Sequence, residues 1–465
     1  MYQIHVYTKT ILADTATPVS LYFKFRDIFP DSILLESSDY HGGADNYSFL
    51  CLLPIAGFQV SRNQITRTFP DRESETFLSD NIPGSFTSFL NAFKPDNRQF
   101  SHLNGFFGYM SYDAAAYYSP VLPAKKSEEP EEIPEIRYHL YQYIIAINHF
   151  RNTVTLIENR LDQDPDTLNH LIQMIENRNY STFPFTTKGE IQANITDREY
   201  LELVDEGIRQ CHLGNVYQIV LSRRFSQSFH GDEFNVYRQL RAINPSPYLF
   251  FFDYTDYKLF GSSPEAHLIV CNGQARICPI AGTFRRTGDD ALDRKLAEQL
   301  AQDPKENAEH NMLVDLARND LSRHAERVQV ELLKEIHFYS HVLHMVSSVS
   351  GELSGNYQPA QLLGDTLPAG TLSGAPKIRA MELIHELEPS NRGFYGGCIG
   401  QIGFDKSINH AILIRSFLSR NHHLVYQAGA GIVSGSEKDK ELLEVNHKLA
   451  ALRSAIEQAE KNAEK

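Results

Sequence analysis

Five stretches of this chain are rich in β-branched and aromatic residues, many of them apolar at successive positions: "YQYIIAINHF" (141–150), "VYQIVLSRRFS" (216–226), "YLFFFDY" (248–254), "AHLIVC" (266–271) and "HAILIRSFL" (410–418). They therefore read as strands. A strand with one wet face alternates polar and apolar side chains. One that is apolar at successive positions has to be covered on both faces. Helical patterns lie between these runs, so the expected class is α/β (α+β): a large layered fold of packed antiparallel β-sheets surrounded by helices.

Composition narrows the function classes. The 465 residues are 42% apolar and 22% charged, enough for a sizeable core. A net charge of −14 disfavours nucleic acid and anionic membrane surfaces as partners. An anionic substrate would need local cations. No run approaches the length of a membrane span, and the first residues lack a basic-then-apolar leader, so no membrane and no secretion signal are expected. The cysteines Cys51, Cys211, Cys271, Cys278 and Cys398 are scattered and odd in number, which fits reduced thiols in the cytoplasm.

Two breaks organise the chain. "SPVLPAKKSEEPEEIPE" (119–135) reads as a surface loop, and "NRNYSTFPFTTKGEIQANIT" (177–196) as a connection ending in a helix start, with Thr196 as N-cap and Glu199 completing the box. An N-terminal domain over 1–190 and a C-terminal domain over 191–465 are expected.

Two helices carry acids beside their apolar stripes. Asp303 and Pro304 start one; Glu306, Glu309, Leu313 and Leu316 then follow 3, 4, 3 spacing along one face. In the last helix, expected to be capped by Ser434 and Glu437, Leu442, Val445, Leu449, Leu452 and Ile456 form a stripe. Glu441, Glu444 and Lys448 run along its edge. Taken singly, the first set reads equally as a cap at a wet helix end, and the second reads better as a solvated flank with an i, i+4 Glu444–Lys448 pair. Together, four carboxylates without His or Cys would make an all-oxygen site suited to Mg²⁺. "HVLH" (His341, His344) has a metal spacing but no supporting ligand nearby.

"GFYGGCIGQIGF" (393–404) sets a cysteine among glycines, as the nucleophile turn of a glutamine amidase does. Such an amidase also needs a downstream His followed two residues later by Glu. None of His410, His422, His423 and His447 has one, so Cys398 reads as a packed thiol, with Gly396, Gly397 and Gly400 allowing the backbone near a ligand.

The runs "PIAGTFRR" (279–286), "MLVDLARNDLSR" (312–323), "HVLHMVSSVSGEL" (341–353), "LPAGTLSGAPKIRAMELI" (367–384), "RGFYGGCIGQIGF" (392–404) and "QAGAGIVSGSEKDKELLEVNHKL" (427–449) resemble anthranilate synthase component I, of the chorismate-utilising enzymes. The resemblance covers the C-terminal part in order; the N-terminal part matches chiefly through "LLESSD" (34–39). It implies a Mg²⁺-dependent enzyme that joins chorismate and ammonia to give anthranilate and pyruvate. On it, Glu309 and Glu444 are direct metal ligands, and Glu306 and Glu441 act through water. Arg415, Tyr395 and Lys448 face a substrate carboxylate, with the Gly429, Ala430 and Gly431 backbone available to an anion. Glu265 is the general acid, His344 lies near the ring, and Thr371 contacts substrate.

Two positions bear on the reaction. Relatives that add water carry a Lys where this chain has Gln218; aminodeoxychorismate synthases commonly carry one where it has Ala281. Ammonia already offers a lone pair, so neither lysine is required, and anthranilate is the expected product. Aminodeoxychorismate formation and a silent regulatory subunit remain as alternatives. Glutamine hydrolysis would fall to a glutamine amidotransferase subunit. Glu36 and Ser37, with "NPSPYLFF" (Asn244, Pro245, Ser246, Pro247, Tyr248 and onward), resemble the family's site for tryptophan as an allosteric inhibitor.

Overall fold

The computed structural model describes residues 1–463 apart from 13–15, 38–45, 123–125, 127–131, 162–166, 177–179 and 339–341. Ser38, Asp39 and His341 therefore lie outside the described residues, as does much of the 119–135 stretch.

The apolar runs become strands of one extended, almost wholly antiparallel network. The Gln218–Gly231 strand is buried at its first six positions and pairs with His423–Val433 from Gln218↔Val433 to Ser228↔His423. That double coverage is what an unalternating sequence requires. Strands from the first 190 residues pair directly with later ones. Ile33–Glu36 lies between Tyr47–Ser61 and Tyr248–Asp253, and Gly105–Met110 lies beside Cys398–Gly403.

One run does not form a single strand. "HAILIRSFL" splits into Ile408–Ile412 and Ser416–Arg420, and Arg415 sits in the gap with φ of +49°. The gap has its own hydrogen bonds: Leu413 exchanges backbone bonds with Gly396 and Gly397, and Ser262 N–H donates to Arg415 O at 3.1 Å. Apolarity reports burial, and the turn buries Leu413 fully and Ile414 partly without a ladder. The 177–196 stretch departs the other way: it holds a strand, Phe185–Ala193, largely exposed and paired with Gln218–Gly231 across a bulge.

The helices start where local chemistry directs. Thr196 and Glu199 make a reciprocal capping box for Asp197–His212. Asp303 Oδ1 accepts from Glu306 N–H at 3.0 Å at the start of Pro304–Ser322. The last helix, Lys438–Ala463, begins later than Ser434 would have it. Ser434 lies in the turn that closes the preceding strand, and the Glu437 carbonyl accepts the Glu441 N–H at 3.1 Å instead. Val445, Leu449, Leu452 and Ile456 are buried and Leu442 only partly so. Each fully buried member contributes about 1.5–3 kcal/mol.

Candidate active site

Lys448 is the hub of a cleft between the two acid-bearing helices and the end of the Gln218–Gly231/His423–Val433 pair. Its ammonium bonds Glu444 at 2.8 Å and donates to Gly429 O at 2.9 Å. Burial pulls its pKa down, but Glu444, Tyr395 and Glu309 outweigh that and hold it above the ordinary lysine value. The side chain still keeps 44% of its surface accessible, so the ammonium has two carboxylates near it and remains open to a ligand. Glu309 and Glu444, far apart in sequence, thus face one cation.

Strand geometry places the glycines. Gly429 O accepts from Lys448, and its N–H, on the same edge of the strand, lies toward the Tyr395 hydroxyl, so both backbone groups point into the cleft. Gly431 presents the same side by alternation, whereas Ala430 turns to its strand partner Leu221. A Cβ on Gly431 would sit 2.3 Å from Gln218 Nε2 and 3.6 Å from Glu309 Oε1. Gln218 Nε2 donates to Glu309 Oε1 at 2.9 Å, leaving the buried Gln218 Oε1 without a partner among the described residues.

The opposite wall holds Glu265. Thr371, in the short Gly370–Leu372 turn, donates to it at 3.2 Å. Burial raises its pKa to about 8 against the pull of Thr371, Lys448, the Ile280 N–H and Arg415. At neutral pH it is mostly an uncharged acid. His344 pairs its Nδ1 with Gly282 O at 3.2 Å, and burial lowers its pKa to about 4, so its imidazole is neutral. Leu372, Tyr395 and Ile412 form a small, buried apolar cluster apart from the main core.

Arg415 is half-buried, and burial lowers its pKa while Glu265 opposes the fall. No carboxylate among the described residues pairs with it; its side-chain partner is Asn244 Oδ1 at 3.2 Å. The strand break explains its aim, since a residue inside a ladder would share its neighbours' alternation.

The remaining acids are less tightly drawn in. Glu306 lies beside Gly282, whose Cβ would come within 3.0 Å of Glu306 Oε2. Glu441 is buried, not at the edge of the stripe as its spacing indicates. Among the described residues no three His, Cys, Asp or Glu side chains converge around one point as metal ligands.

Cys398 is buried within the Cys398–Gly403 strand, and burial pushes its thiol up, the opposite of an activated nucleophile. Two of its glycines pack against the sheet: a Cβ on Gly397 would lie 2.2 Å from Met110 O, and one on Gly400 would lie 2.0 Å from Asn409 O, whereas Gly396, at φ of +81°, faces Tyr112 and Leu372.

The two segments matched to an inhibitor site are neighbours in the sheet, with Glu36 opposite Leu249. Glu36 is 3% exposed and accepts from Tyr237 Oη at 2.5 Å and from Arg241 Nε at 3.1 Å. Ser37 N–H donates to Ser48 Oγ at 3.3 Å. Sequence reasoning missed Tyr237 and Arg241. Their i, i+4 spacing one helical turn before Asn244 was the available signal.

Residues 53–454 match the chorismate binding enzyme family. The chain is 35% identical to anthranilate synthase component 1 of Aquifex aeolicus, over 99% of this chain and 96% of that one. It is equally similar to that of Thermus thermophilus, over 99% of each. The crystal structure of anthranilate synthase component I from Streptococcus pneumoniae superposes with a TM-score of 0.77 at 29% identity, covering 95% of this chain and 99% of that one.

Proposed function

The chain belongs to the chorismate binding enzymes, in their anthranilate synthase component 1 group, and on that premise we propose that its cleft joins chorismate and ammonia to give anthranilate, pyruvate and water. What most favours this is the pairing of a protonated acid with a guanidinium that no carboxylate among the described residues pairs with: Glu265, held near pKa 8, opposite Arg415.

Arg415, with Tyr395, takes the carboxylate of the enolpyruvyl arm, since a buried guanidinium lacking a carboxylate is costly until one arrives. The ring lies on Leu372, Tyr395 and Ile412. The inward amides of Gly429 and Gly431 and the Thr371 hydroxyl complete the polar contacts. Glu265 gives its proton to the departing 4-hydroxyl, which leaves as water while ammonia adds at ring carbon 2. Loss of the carbon 2 proton and departure of the enolpyruvyl arm as pyruvate then make the ring aromatic. His344, neutral and beside Gly282, is placed to assist the proton movements.

Mg²⁺ fits the donor set: Glu309, Glu444, Glu306 and Glu441 offer hard carboxylate oxygens and no thiolate or imidazole. Glu309 and Glu444 would hold it directly, and Glu306 and Glu441 through its waters. When bound, it would supply Lewis-acid neutralisation of the ring carboxylate.

Gln218 and Ala281 favour ammonia over water and over an enzyme-bound lysine nucleophile. Gln218 caps Glu309, and Ala281 is buried opposite Met345. With Cys398 sealed in a strand, a separate glutamine amidotransferase subunit supplies the ammonia in this scheme. Tryptophan, bound between Glu36–Ser37 and residues 244–248, is the proposed feedback inhibitor.

The test is to incubate the purified chain with chorismate, Mg²⁺ and an ammonium salt and identify the products. Anthranilate with pyruvate is expected. Aminodeoxychorismate without pyruvate, or no turnover, overturns the proposal.

A further inference from the structure

Glu36 and Arg415 stand at the two ends of one short helical segment. The Phe234–Ile243 helix carries Tyr237 and Arg241 on the face toward Glu36, and Asn244 is its C-cap, with its N–H on Leu240 O at 2.9 Å. One turn beyond Arg241, Asn244 Oδ1 accepts from Arg415 at 3.2 Å. Ser262 ties the corner. Its hydroxyl donates to Asn244 O and its N–H to Arg415 O, so Asn244, Ser262 and Arg415 form a closed hydrogen-bonded ring.

The Glu36–Arg241 pair is lopsided. Glu36 is 3% exposed, whereas 42% of the Arg241 side chain is accessible. Arg241 meets both Glu36 oxygens at 3.1 Å through one nitrogen, Nε, so its guanidinium is not in the two-pronged arrangement that holds best. Arg241 can swing into water at little cost, but Glu36 cannot follow and needs another cation in its place. A primary ammonium supplies one.

We infer that Arg241 is an internal cation standing in for the ammonium of an amino-acid ligand at Glu36, and that the last turn of its helix passes occupancy of that site to Arg415 through Asn244. The inference rests on the reading of Glu36 as part of a tryptophan site. It adds the competitor for that site and the element that both sites bias, which any coupling between them requires. Without ligand, Arg241 pins the turn and Asn244 holds Arg415 toward the cleft. With ligand, the turn is released and Arg415 loses its hydrogen bond to the Asn244 side chain. Asn244 is thus a positioning residue for the substrate carboxylate.

The probe is tryptophan itself. The chain contains no Trp, so ligand fluorescence reports binding directly. Arg241→Gln is expected to bind tryptophan about tenfold more tightly than the wild type, and Arg241→Lys, which keeps the cation, to stay near wild type. Asn244→Ala is expected to raise the KM for chorismate about tenfold with little change in kcat. It should still bind tryptophan, which should no longer shift that KM. If the wild type binds no tryptophan, the site reading fails and the inference with it. If the wild type binds and is inhibited, but Arg241→Gln binds no more tightly or Asn244→Ala stays fully inhibited, only the inference is overturned.

Discussion

Thr371 Oγ1 donates a 3.2 Å hydrogen bond to Glu265 Oε1, and that bond opposes the main influence on Glu265. Burial lifts the carboxyl to about 8, while Thr371 is the strongest of the groups that stabilise its charged form. The turn therefore keeps the acid weak enough to be protonated at neutral pH and strong enough to release its proton. A carboxyl buried without such a donor would be a poorer acid.

Removing the acid should separate activity from stability. Glu265→Gln is expected to lower kcat about 10²–10⁴-fold. In the wild type, kcat/KM should fall as pH rises through about 8, because the protonated form is the active one. Stability follows the same group. Its folded value of about 8 lies above the ordinary 4.5, so its contribution is complete below about 4.5 and is lost as pH climbs through 8. Glu265→Gln should thus match wild-type stability near about pH 4 and exceed it by a few kcal/mol near about pH 9. Denaturant unfolding at both pH values checks this; equal stability at both ends counts against a buried, protonated Glu265.

Thr371→Val keeps the shape of the turn and deletes only the donor. The charged form of Glu265 loses its hydrogen bond, so its pKa should rise and the alkaline limb of kcat/KM should move up by about one unit. A limb that stays in place, or moves down, would show that Thr371 does not act on Glu265.

What could be read from the sequence was the local chemistry. The Thr196 and Asp303 caps depend on residues three apart, and both form. Glu309 was visible as an acid on an apolar stripe and Glu444 as one at the edge of another. Their meeting at Lys448 was not, since it depends on how the helices pack. The same limit hid Arg241 beside Glu36, 205 residues apart in sequence. Arg415 was legible as a costly buried charge but was assigned to a strand, because apolar neighbours mark burial and not backbone path. The Cys398 glycines misled for a related reason. Glycine signals close approach but does not say of what, and at Gly397 and Gly400 it is the neighbouring strands.

The acid pairs predict a graded response to magnesium. Glu309→Gln and Glu444→Gln should each lower kcat/KM by at least about 10²-fold and raise the Mg²⁺ concentration for half-maximal activity. Glu306→Gln and Glu441→Gln, one shell farther out, should weaken Mg²⁺ binding by about 10–100-fold and retain more activity. Calorimetric Mg²⁺ titration of each variant separates the two classes. Unchanged Mg²⁺ affinity in both Glu309→Gln and Glu444→Gln would remove them from the metal site.

Gly431→Ala tests how closely the cleft is fitted around its acids. The new methyl would lie 2.3 Å from Gln218 Nε2, a contact only movement of that side chain can relieve. Gln218 can move, because it is a side chain and not part of the sheet backbone, so the fold should survive with a loss of about 1–3 kcal/mol. Its bond to Glu309 Oε1 would break, leaving that carboxylate less well oriented, and the methyl would crowd the inward backbone face beside Gly429. Activity should fall about 10²-fold while the far-ultraviolet spectrum and the cooperativity of unfolding are kept. Gln218→Ala in the same background should recover part of the loss by removing the clash. If the double variant is no better than Gly431→Ala alone, the methyl acts on something other than Gln218.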